Sequence, residues 1–222
     1  MNTSKRNTRD HILSTAERLF AECGIERTSI RQINKAAGQR NSSATRYHFG
    51  TKTHLIEAIF DRRLRTIDAR QLARLDALPA ILDVRHLLKT LVLPLAEQLT
   101  SEAECFYFSR LVQQVNNDPK YSAISRQRIE QGEVMRRLRT RVSSRLDHLP
   151  ASIVAQRLDM VSRQIYCELA DQQRKLAAEP IDAGLENALF ISGLLDAISA
   201  SLQAPLSNET SVELARTKRR TA

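Results

Sequence analysis

Side chains suited to contacting a polyanion are concentrated between residues 24 and 60. Arg46 stands out because a guanidinium can donate two parallel hydrogen bonds to O6 and N7 of a guanine. Thr28 and Ser29 lie where a helix can begin, so a hydroxyl and free backbone N–H groups could together hold a phosphate. This segment therefore suits contact with a phosphate backbone and with base edges.

The positive charge of the chain is unevenly placed. Residues 1–65 hold 13 Lys and Arg against 6 Asp and Glu, whereas residues 66–204 hold 17 of each. Residues 205–222 hold 4 Lys and Arg against 2 acidic residues. A basic N-terminal third on a neutral body indicates a polyanion contact at that end. The alternative is a basic face that is simply solvated.

Patterns for other chemistry are missing from the sequence. It contains no HExxH, GxxxxGK[ST], GxSxG or GxGxxG motif, and its five histidines lack metal-ligand spacing. The three cysteines form no CxxC pair, which favours reduced thiols and a cytoplasmic location. We therefore predict that the chain is not an enzyme and has no metal and no cofactor.

The basic segment must be positioned by short helices. Residues 8–23 have apolar side chains at helical spacing and end at Gly24, and Ser29 with Gln32 has capping-box spacing for a second helix. Gly38 ends that helix, and a third is predicted from about residue 41 to residue 48. Thr51 is placed to cap a fourth helix that continues to residue 67.

The rest of the chain is also predicted to be helical. After residue 79 the pattern stays helical to about residue 204, with breaks near residues 78–79, 116–119, 149–150 and 179–180. No strand alternation is visible, so the fold class is all-α. Residues 205–222 form a polar, basic tail that we expect to be disordered.

The N-terminal segment resembles the tetracycline-repressor (TetR) family of bacterial regulators. The resemblance covers about residues 8–67 and depends on these residues: Arg9-Asp10-His11-Ile12-Leu13, Ala16, Leu19-Phe20, Gly24, Thr28-Ser29-Ile30, Ala36-Ala37-Gly38, Tyr47-His48-Phe49-Gly50-Thr51-Lys52 and Leu55. It implies a helix-turn-helix DNA-binding domain over residues 8–67 and a helical effector-binding and dimerisation domain over residues 68–204. The stretch between Gly38 and Tyr47 is one residue longer than is usual in the family.

The candidate DNA contacts combine the base-reading helix with the residues around it. We expect the third helix to enter the major groove, and the resemblance implies that Tyr47, His48 and Lys52 contact phosphates. The alternative for Tyr47 is packing inside the domain, and for Lys5 and Arg6 it is solubility rather than a flexible arm. The full candidate set is Lys5, Arg6, Thr28, Ser29, Arg40, Asn41, Ser42, Ser43, Ala44, Arg46, Tyr47, His48 and Lys52.

Two helices of the body are candidates for a dimer interface. Residues 152–177 carry an apolar stripe, and residues 182–203 are apolar nearly all round, which predicts burial on two sides. The alternative is a helix buried within one subunit, and a membrane span is disfavoured because Asp196 interrupts the segment. The candidate interface is Val154, Leu158, Val161, Ile165, Leu169, Phe190, Gly193, Leu194, Ala197 and Ile198.

An effector pocket is predicted around the middle of the body. Arg128 and Arg139 fall within an apolar arc, so each needs either a structural carboxylate such as Glu102 or Glu104, or an anionic ligand. Aromatic lining residues suit an apolar or aromatic ligand. The candidate pocket residues are Cys105, Phe106, Phe108, Tyr121, Arg128, Met135, Leu138, Arg139 and Val142.

These patterns favour one functional hypothesis. A dimeric, effector-responsive transcriptional repressor would bind a near-palindromic double-stranded DNA operator and leave it when a small molecule binds. Its partners would be DNA, the effector and a second copy of the chain, without a membrane. The alternative is a non-regulatory DNA-architectural protein with a helical dimerisation body.

Overall fold

The computed structural model describes residues 2–39, 44–79, 83–97, 107–178 and 183–221. Within these ranges the chain forms eleven α-helices and a π-helical turn, Arg126–Glu130, with no β-strand. The helices are α1 (Asn2–Cys23), α2 (Ile30–Ala36), α3 (Ala44–Phe49), α4 (Lys52–Asp76), α5 (Val84–Ala96), α6 (Phe108–Asn117), α7 (Ser122–Ser125), α8 (Glu133–Ser143), α9 (Ala151–Ala178), α10 (Ala183–Gln203) and α11 (Asn208–Thr221). The all-α class predicted from the sequence is confirmed.

Local signals set the end of α1 and the starts of α2 and α4 as the sequence predicts. Ser29 accepts a hydrogen bond from the Gln32 backbone N–H in a complete capping box, and Thr51 caps α4 through the His54 N–H. Gly24 has a φ of 93°, a left-handed conformation that side chains disfavour. These signals place α1 to α4 as an N-terminal head in which α2 and α3 pack against each other and onto α1 and α4.

Within the head, a buried ion-pair cluster joins α1 to α4. The Glu17 side chain is almost completely buried, and the guanidiniums of Arg62 and Arg63 lie 2.9 and 2.8 Å from its Oε2. Burial raises the pKa of Glu17, while the charges and hydrogen bonds of the two guanidiniums act in the opposite direction. Arg62 also donates to the Ser14 Oγ, at 2.9 Å, so one side chain holds two turns of α1.

Helix α4 extends from the head into the body, and its aromatic contacts join the two parts. The rings of Phe60 and Phe108 meet edge to face with centroids 5.2 Å apart, and Phe108 lies 6.2 Å from Tyr166. Around this contact, α6 packs on α9, and α5 packs on both α4 and α10. A shift of α4 is therefore felt in both the head and the body core.

The structure differs from the sequence prediction at two helix boundaries and in two further places. Helix α1 begins at Asn2 and not at residue 8, and α4 continues to Asp76 and not only to residue 67. The predicted continuous helix over residues 121–149 is interrupted by the π-helical turn and by Gln131–Gly132 before α8 begins. The tail expected to be disordered forms α11, whose start is stabilised by the Ser207 hydroxyl, which accepts from the Thr210 N–H at 3.1 Å. The predicted start of the third helix at residue 41 lies outside the described residues.

Candidate DNA interface and ligand cavity

Helix α3 is fixed on α2 by a buried polar pair. The Asn34 Oδ1 accepts hydrogen bonds from the Thr45 N–H at 3.1 Å and from the Thr45 hydroxyl at 2.6 Å. Both side chains are buried, so these bonds are shielded from water and costly to lose. With α3 held in this orientation, Arg46 and Tyr47, the two residues after Thr45, face outward.

Two candidate base and phosphate contacts stand on this outward face. Arg46 is exposed, and its side chain makes no hydrogen bond or ion pair with any residue in the described part of the chain. Tyr47 is 77% exposed, so packing inside the domain is not its role, and its ring meets that of His48 at 5.2 Å. Phe49 points inward and is buried beside Arg9, whose guanidinium carbon lies 5.1 Å from the ring centroid. The short helix thus separates a packing residue from outward ones.

Thr28 is a correction to the predicted phosphate contacts. Its hydroxyl donates to the Gly24 carbonyl at 2.8 Å and lies 3.2 Å from the Leu19 carbonyl, and the residue is buried. A buried hydroxyl already committed to α1 cannot reach a phosphate. Ser29 is exposed beside it, with its Oγ engaged in the capping box, so its phosphate contact stays a prediction.

Lys52 has an internal role that the sequence did not predict. Its Nζ donates to the Ile25 carbonyl at 2.9 Å, which ties the start of α4 to the loop between α1 and α2. An ammonium has three donors, so the predicted phosphate contact is compatible with this tether. His48 is half-buried, and its phosphate contact also stays a prediction.

Part of the predicted interface lies outside the described residues. This applies to Arg40, Asn41, Ser42 and Ser43, and to the side chains of Lys5, Arg6 and Ala44. Three exposed basic residues that the sequence prediction missed, Arg27, Arg31 and Lys35, lie on or beside α2 and have no side-chain partner in the described ranges. Their position around Ser29, the predicted N-cap of the second helix, could have indicated them as further phosphate contacts.

The body contains a small, partly open cavity lined by α4, α5, α8, α9 and the π-helical turn. Its volume is about 20 Å³, room for roughly one water molecule. Its walls are mainly apolar and include Leu64, Leu91, Leu95, Ile129, Met135 and Ile165. Its polar lining consists of Asp68, Gln71, Arg128, Ser162 and Tyr166.

Only part of the predicted effector pocket lies at this cavity. Arg128 and Met135 line it, whereas Phe108, Leu138 and Val142 are completely buried in the core and do not line it. Tyr121 is a further correction, because it is buried and its hydroxyl donates to the Glu26 Oε1 at 2.8 Å, towards the head. Cys105 and Phe106 lie outside the described residues.

The two arginines predicted to need partners both have carboxylates. Arg128 lies 2.6 Å from Asp61 and 3.8 Å from Glu57, both on α4, and Arg139 pairs with Asp159 on α9. The structural pairing predicted as one alternative is therefore present, with partners other than the proposed Glu102 and Glu104, which lie outside the described residues. Since Arg139 does not line the cavity, it is removed from the candidate pocket.

Asp68 and Tyr166 are the ionisable cavity residues that the sequence prediction missed. Burial raises the pKa of Asp68 to about 6. Tyr166 is buried, and desolvation with the nearby Asp68 charge raises its pKa, so its hydroxyl stays neutral. Asp68 and Leu64 are one helical turn apart on α4, which is the spacing that could have indicated a carboxylate on a buried face.

The predicted dimer stripe is mostly interior. Residues Val154, Leu158, Val161, Ile165 and Leu169 on α9, and Leu194 and Ile198 on α10, are buried in the core of the single chain. A second copy cannot contact them, so they are removed from the candidate interface. The apolar periodicity of α9 and α10 therefore reflects the packing of these helices within one subunit.

A different face of α10 is exposed and apolar. Leu185 and Leu189 are each 75% exposed, and Gly193 and Ala197 are also exposed, while Phe190 is half-buried. Among the described residues, one helical segment, Leu185–Gln203, is long and apolar enough to cross a membrane. Its other side packs on α5 and α9, and Asp196 pairs with Arg85 of α5 at 2.7 Å. These contacts are those of a body helix with one uncovered face.

Polar contacts connect the head to the body at α6 and α7. The Gln114 side chain accepts from the Ile25 N–H at 3.1 Å and donates to the Ala21 carbonyl at 3.2 Å. Glu26 accepts from Tyr121 and from Lys120, at 2.8 and 3.1 Å, and these hydrogen bonds lower its pKa. Together with the Arg128 pair on α4, they link the cavity region to the helices of the head.

Comparison with known proteins gives the identity of the head. Residues 12–59 match the family model described as bacterial regulatory proteins, tetR family. No curated protein matches the chain.

Among the described residues, no group of His, Cys, Asp or Glu side chains is arranged to hold a metal ion.

Solved structures share the fold over nearly the whole chain. The fatty acid degradation regulator FadR from Bacillus halodurans is 16% identical, with a TM-score of 0.62 over 90% of this chain and 96% of that one. A tetR-family regulator from Shewanella sp. PV-4 is 15% identical, with a TM-score of 0.59 over 87% and 97% of the two chains. KstR2 of Mycobacterium tuberculosis, a ketosteroid transcriptional regulator, is 19% identical, with a TM-score of 0.55 over 89% and 95%. Residues 12–59 therefore resemble the DNA-binding domain of the tetR family of bacterial regulatory proteins, and the chain as a whole shares its fold with these solved structures.

Proposed function

We propose that the chain is a dimeric transcriptional repressor that leaves a near-palindromic operator when a small molecule binds in its body. The observation that supports the proposal is that one chain combines an outward-facing Arg46 and Tyr47 on α3 with a separate cavity in the body that α4 helps to line. Exposed basic and aromatic side chains on a short helix suit a major groove. A cavity beside α4 supplies a place for the signal to enter.

The proposed mechanism is a population shift carried by α4. This helix holds Lys52 at the head and Asp68 at the cavity, so a ligand that moves its central part also reorients α3. Two heads fit successive major grooves only at one separation, about 34–36 Å. A ligand that favours another arrangement of α4 lowers operator affinity by its preference for that arrangement.

The proposed dimer uses the exposed face of α10. Leu189 and Gly193 lie on that face one turn apart, and a Cβ at Gly193 would meet nothing within 4 Å, which leaves room for a partner helix. Met160 of α9, 57% exposed, is a further exposed apolar residue and lies near Ser201 at the C-terminal end of α10. These residues replace the buried stripe as the candidate interface, with Phe190 and Ala197 retained at its edge.

Gly193→Arg tests this interface. The substitution points into open space within the subunit, so we expect it to fold and to run as a monomer in light scattering after gel filtration. Gly193→Ala is the matched control and should remain dimeric, since it adds one methyl and improves helix propensity by roughly 0.5–1 kcal/mol. A dimeric Gly193→Arg protein would place the interface elsewhere.

Footprinting on DNA that flanks the chain's own coding region tests the repressor proposal. We expect protection of two related half-sites about one helical turn apart, or a multiple of it. The competing proposal, a DNA-architectural protein, is favoured by the basic head alone and predicts protection that depends on DNA length and not on sequence. Smeared protection that no short DNA fragment reproduces would overturn the repressor proposal.

A further inference from the structure

Asp68 is a carboxylate without a partner at the wall of an apolar cavity. Among the residues that the structure describes, none forms a hydrogen bond or an ion pair with its side chain. Its pKa of about 6 still leaves it largely ionised at neutral pH. An ionised group that is partly removed from water is unfavourable unless a donor or a cation compensates it.

The charges around the cavity favour a cation over an anion. Arg128, the basic member of the described lining, is already matched by Asp61 at 2.6 Å and Glu57 at 3.8 Å. Counting Asp68, the described cavity lining and the ion pair beside it hold three carboxylates against one guanidinium. An anionic ligand would have to displace a carboxylate from Arg128, whereas a cation finds Asp68 free.

The neighbouring polar groups complete a site for a nitrogen donor. Gln71 is occupied, since its Nε2 donates to the Leu91 carbonyl at 2.9 Å. Tyr166 and Ser162 bring neutral hydroxyls to the same cavity, and hydroxyl oxygens can accept from an N–H group. Leu64, Leu95 and Met135 supply the apolar wall that an attached hydrocarbon or ring would contact.

We propose that this cavity binds a protonated amine carried on an apolar or aromatic group, with Asp68 as the counter-ion. The proposal rests on the proposed function, because it names the chemical class of the effector. At about 20 Å³ the cavity must widen to admit such a molecule. The π-helical turn and Gly132 form the wall suited to moving, since π-type turns interrupt the regular helical ladder.

A bound amine would also contact α4 directly. Leu64, Asp68 and Gln71 follow one face of that helix at helical spacing. Arg128 connects the π-helical turn to Asp61 on the same helix, one turn nearer the head than the cavity residues begin. A cation at Asp68 that displaces the turn would therefore alter the restraint on α4.

Three matched probes test the ligand class: 1-naphthylmethylamine, 1-naphthylmethanol and 1-naphthoate. Their dissociation constants are measured by calorimetry at pH 7.5 with the full, DNA-free chain. We expect the amine to bind about 10- to 100-fold more tightly than the alcohol, the range for a hydrogen bond to a charged group. Tighter binding of the carboxylate, equal binding of amine and alcohol, or no binding of any probe would overturn the proposal.

Asp68→Asn identifies the counter-ion. The amide keeps the shape and removes the charge, so we expect it to lose the advantage of the amine over the alcohol while binding the alcohol as before. Asp76→Asn is the control, because Asp76 lies on the same helix but pairs with Arg137 at 3.1 Å away from the cavity. An unchanged amine preference in Asp68→Asn would overturn the assignment.

Operator release, measured separately, distinguishes this proposal from the proposed function. Amine binding through Asp68 without operator release would leave the ligand class standing and contradict the repressor mechanism. Operator release by the carboxylate and not by the amine would support the repressor mechanism and overturn the ligand class.

Discussion

At the scale of single residues, polar side chains in this protein are placed by partners distant in sequence. Thr45 occupies a buried position on α3 because Asn34 of α2 accepts from both its backbone and its hydroxyl. Sequence patterns predicted the short helix but could not reveal this pair, since neither residue has a periodic or capping signature. Thr28 shows the same limit, because its cap-like position conceals a hydroxyl that donates to Gly24.

Arg46 is the residue that should read a base. If its guanidinium bonds one guanine, Arg46→Ala costs about 1–3 kcal/mol of binding free energy and relaxes specificity at one position only. Affinities for an operator and its single-base variants, measured at fixed salt concentration, check this. Arg46→Lys is the control that keeps the charge and loses the fork, so it should also relax specificity. An equal loss on every sequence would mark Arg46 as a phosphate contact.

Asp68 should reduce the stability of the unliganded protein at neutral pH. Its folded-state pKa of about 6 lies above the ordinary value of 3.8, so its ionisation opposes folding. Its stabilising contribution is complete below pH 3.8 and is lost as pH rises through about 6. After a discount for partial solvent exposure, we expect Asp68→Asn to raise the free energy of unfolding by about 1–2 kcal/mol at pH 7.5.

Urea unfolding at several pH values measures this difference. The advantage of Asp68→Asn over the wild type should shrink as pH falls and vanish below about pH 4. Asp76→Asn, whose side chain is paired and mostly exposed, should show no such gain. A variant less stable than the wild type at pH 7.5 would indicate that Asp68 has a stabilising partner.

At the scale of helices, local signals predicted the head better than the body. Capping by Ser29 and Thr51 and the turn at Gly24 are encoded by adjacent residues, so α2 and α4 began as predicted. The π-helical turn lies between α7 and α8, where no local signal in the sequence predicts it. Helix α11 does have a local signal, because Ser207 is an N-cap residue followed by an acidic first turn at Glu209. The polar composition of residues 205–222 nevertheless favours a prediction of disorder.

The junction of α1 and α4 depends on Glu17. Removing its charge leaves the guanidiniums of Arg62 and Arg63 without their buried partner, and breaking such a cluster typically costs 3–5 kcal/mol. Because both arginines reach water in part, we expect about 3 kcal/mol for Glu17→Gln in urea unfolding. Glu213→Gln is the control, since Glu213 pairs with Arg216 on the surface at 2.6 Å and should cost about 0.3–0.5 kcal/mol. Equal losses in the two variants would show that burial adds nothing to the Glu17 cluster.

At the scale of the whole molecule, head and body form one connected structure with few polar links. The sequence indicated two functional regions through charge and resemblance, but not the contacts between them, because those contacts join residues about 90 positions apart. Gln114 is the clearest link, since its amide binds both the last turn of α1 and the loop that follows. Contacts of this kind determine whether ligand binding in the cavity changes the affinity for the operator.

Gln114→Ala should uncouple the two sites while leaving each able to bind. Coupling is the ratio of operator affinities without and with a saturating amine probe, and it is reciprocal, so the probe's affinities with and without DNA must give the same factor. We expect that ratio to fall by about 2- to 10-fold, within the range of a free-energy change of about 0.5–1.4 kcal/mol for a residue along a coupling network. Gln113→Ala is the matched control, because Gln113 contacts Cys167 and Arg174 within the body and not the head. If both variants keep the wild-type ratio, the signal passes through α4 and Arg128 rather than through α6.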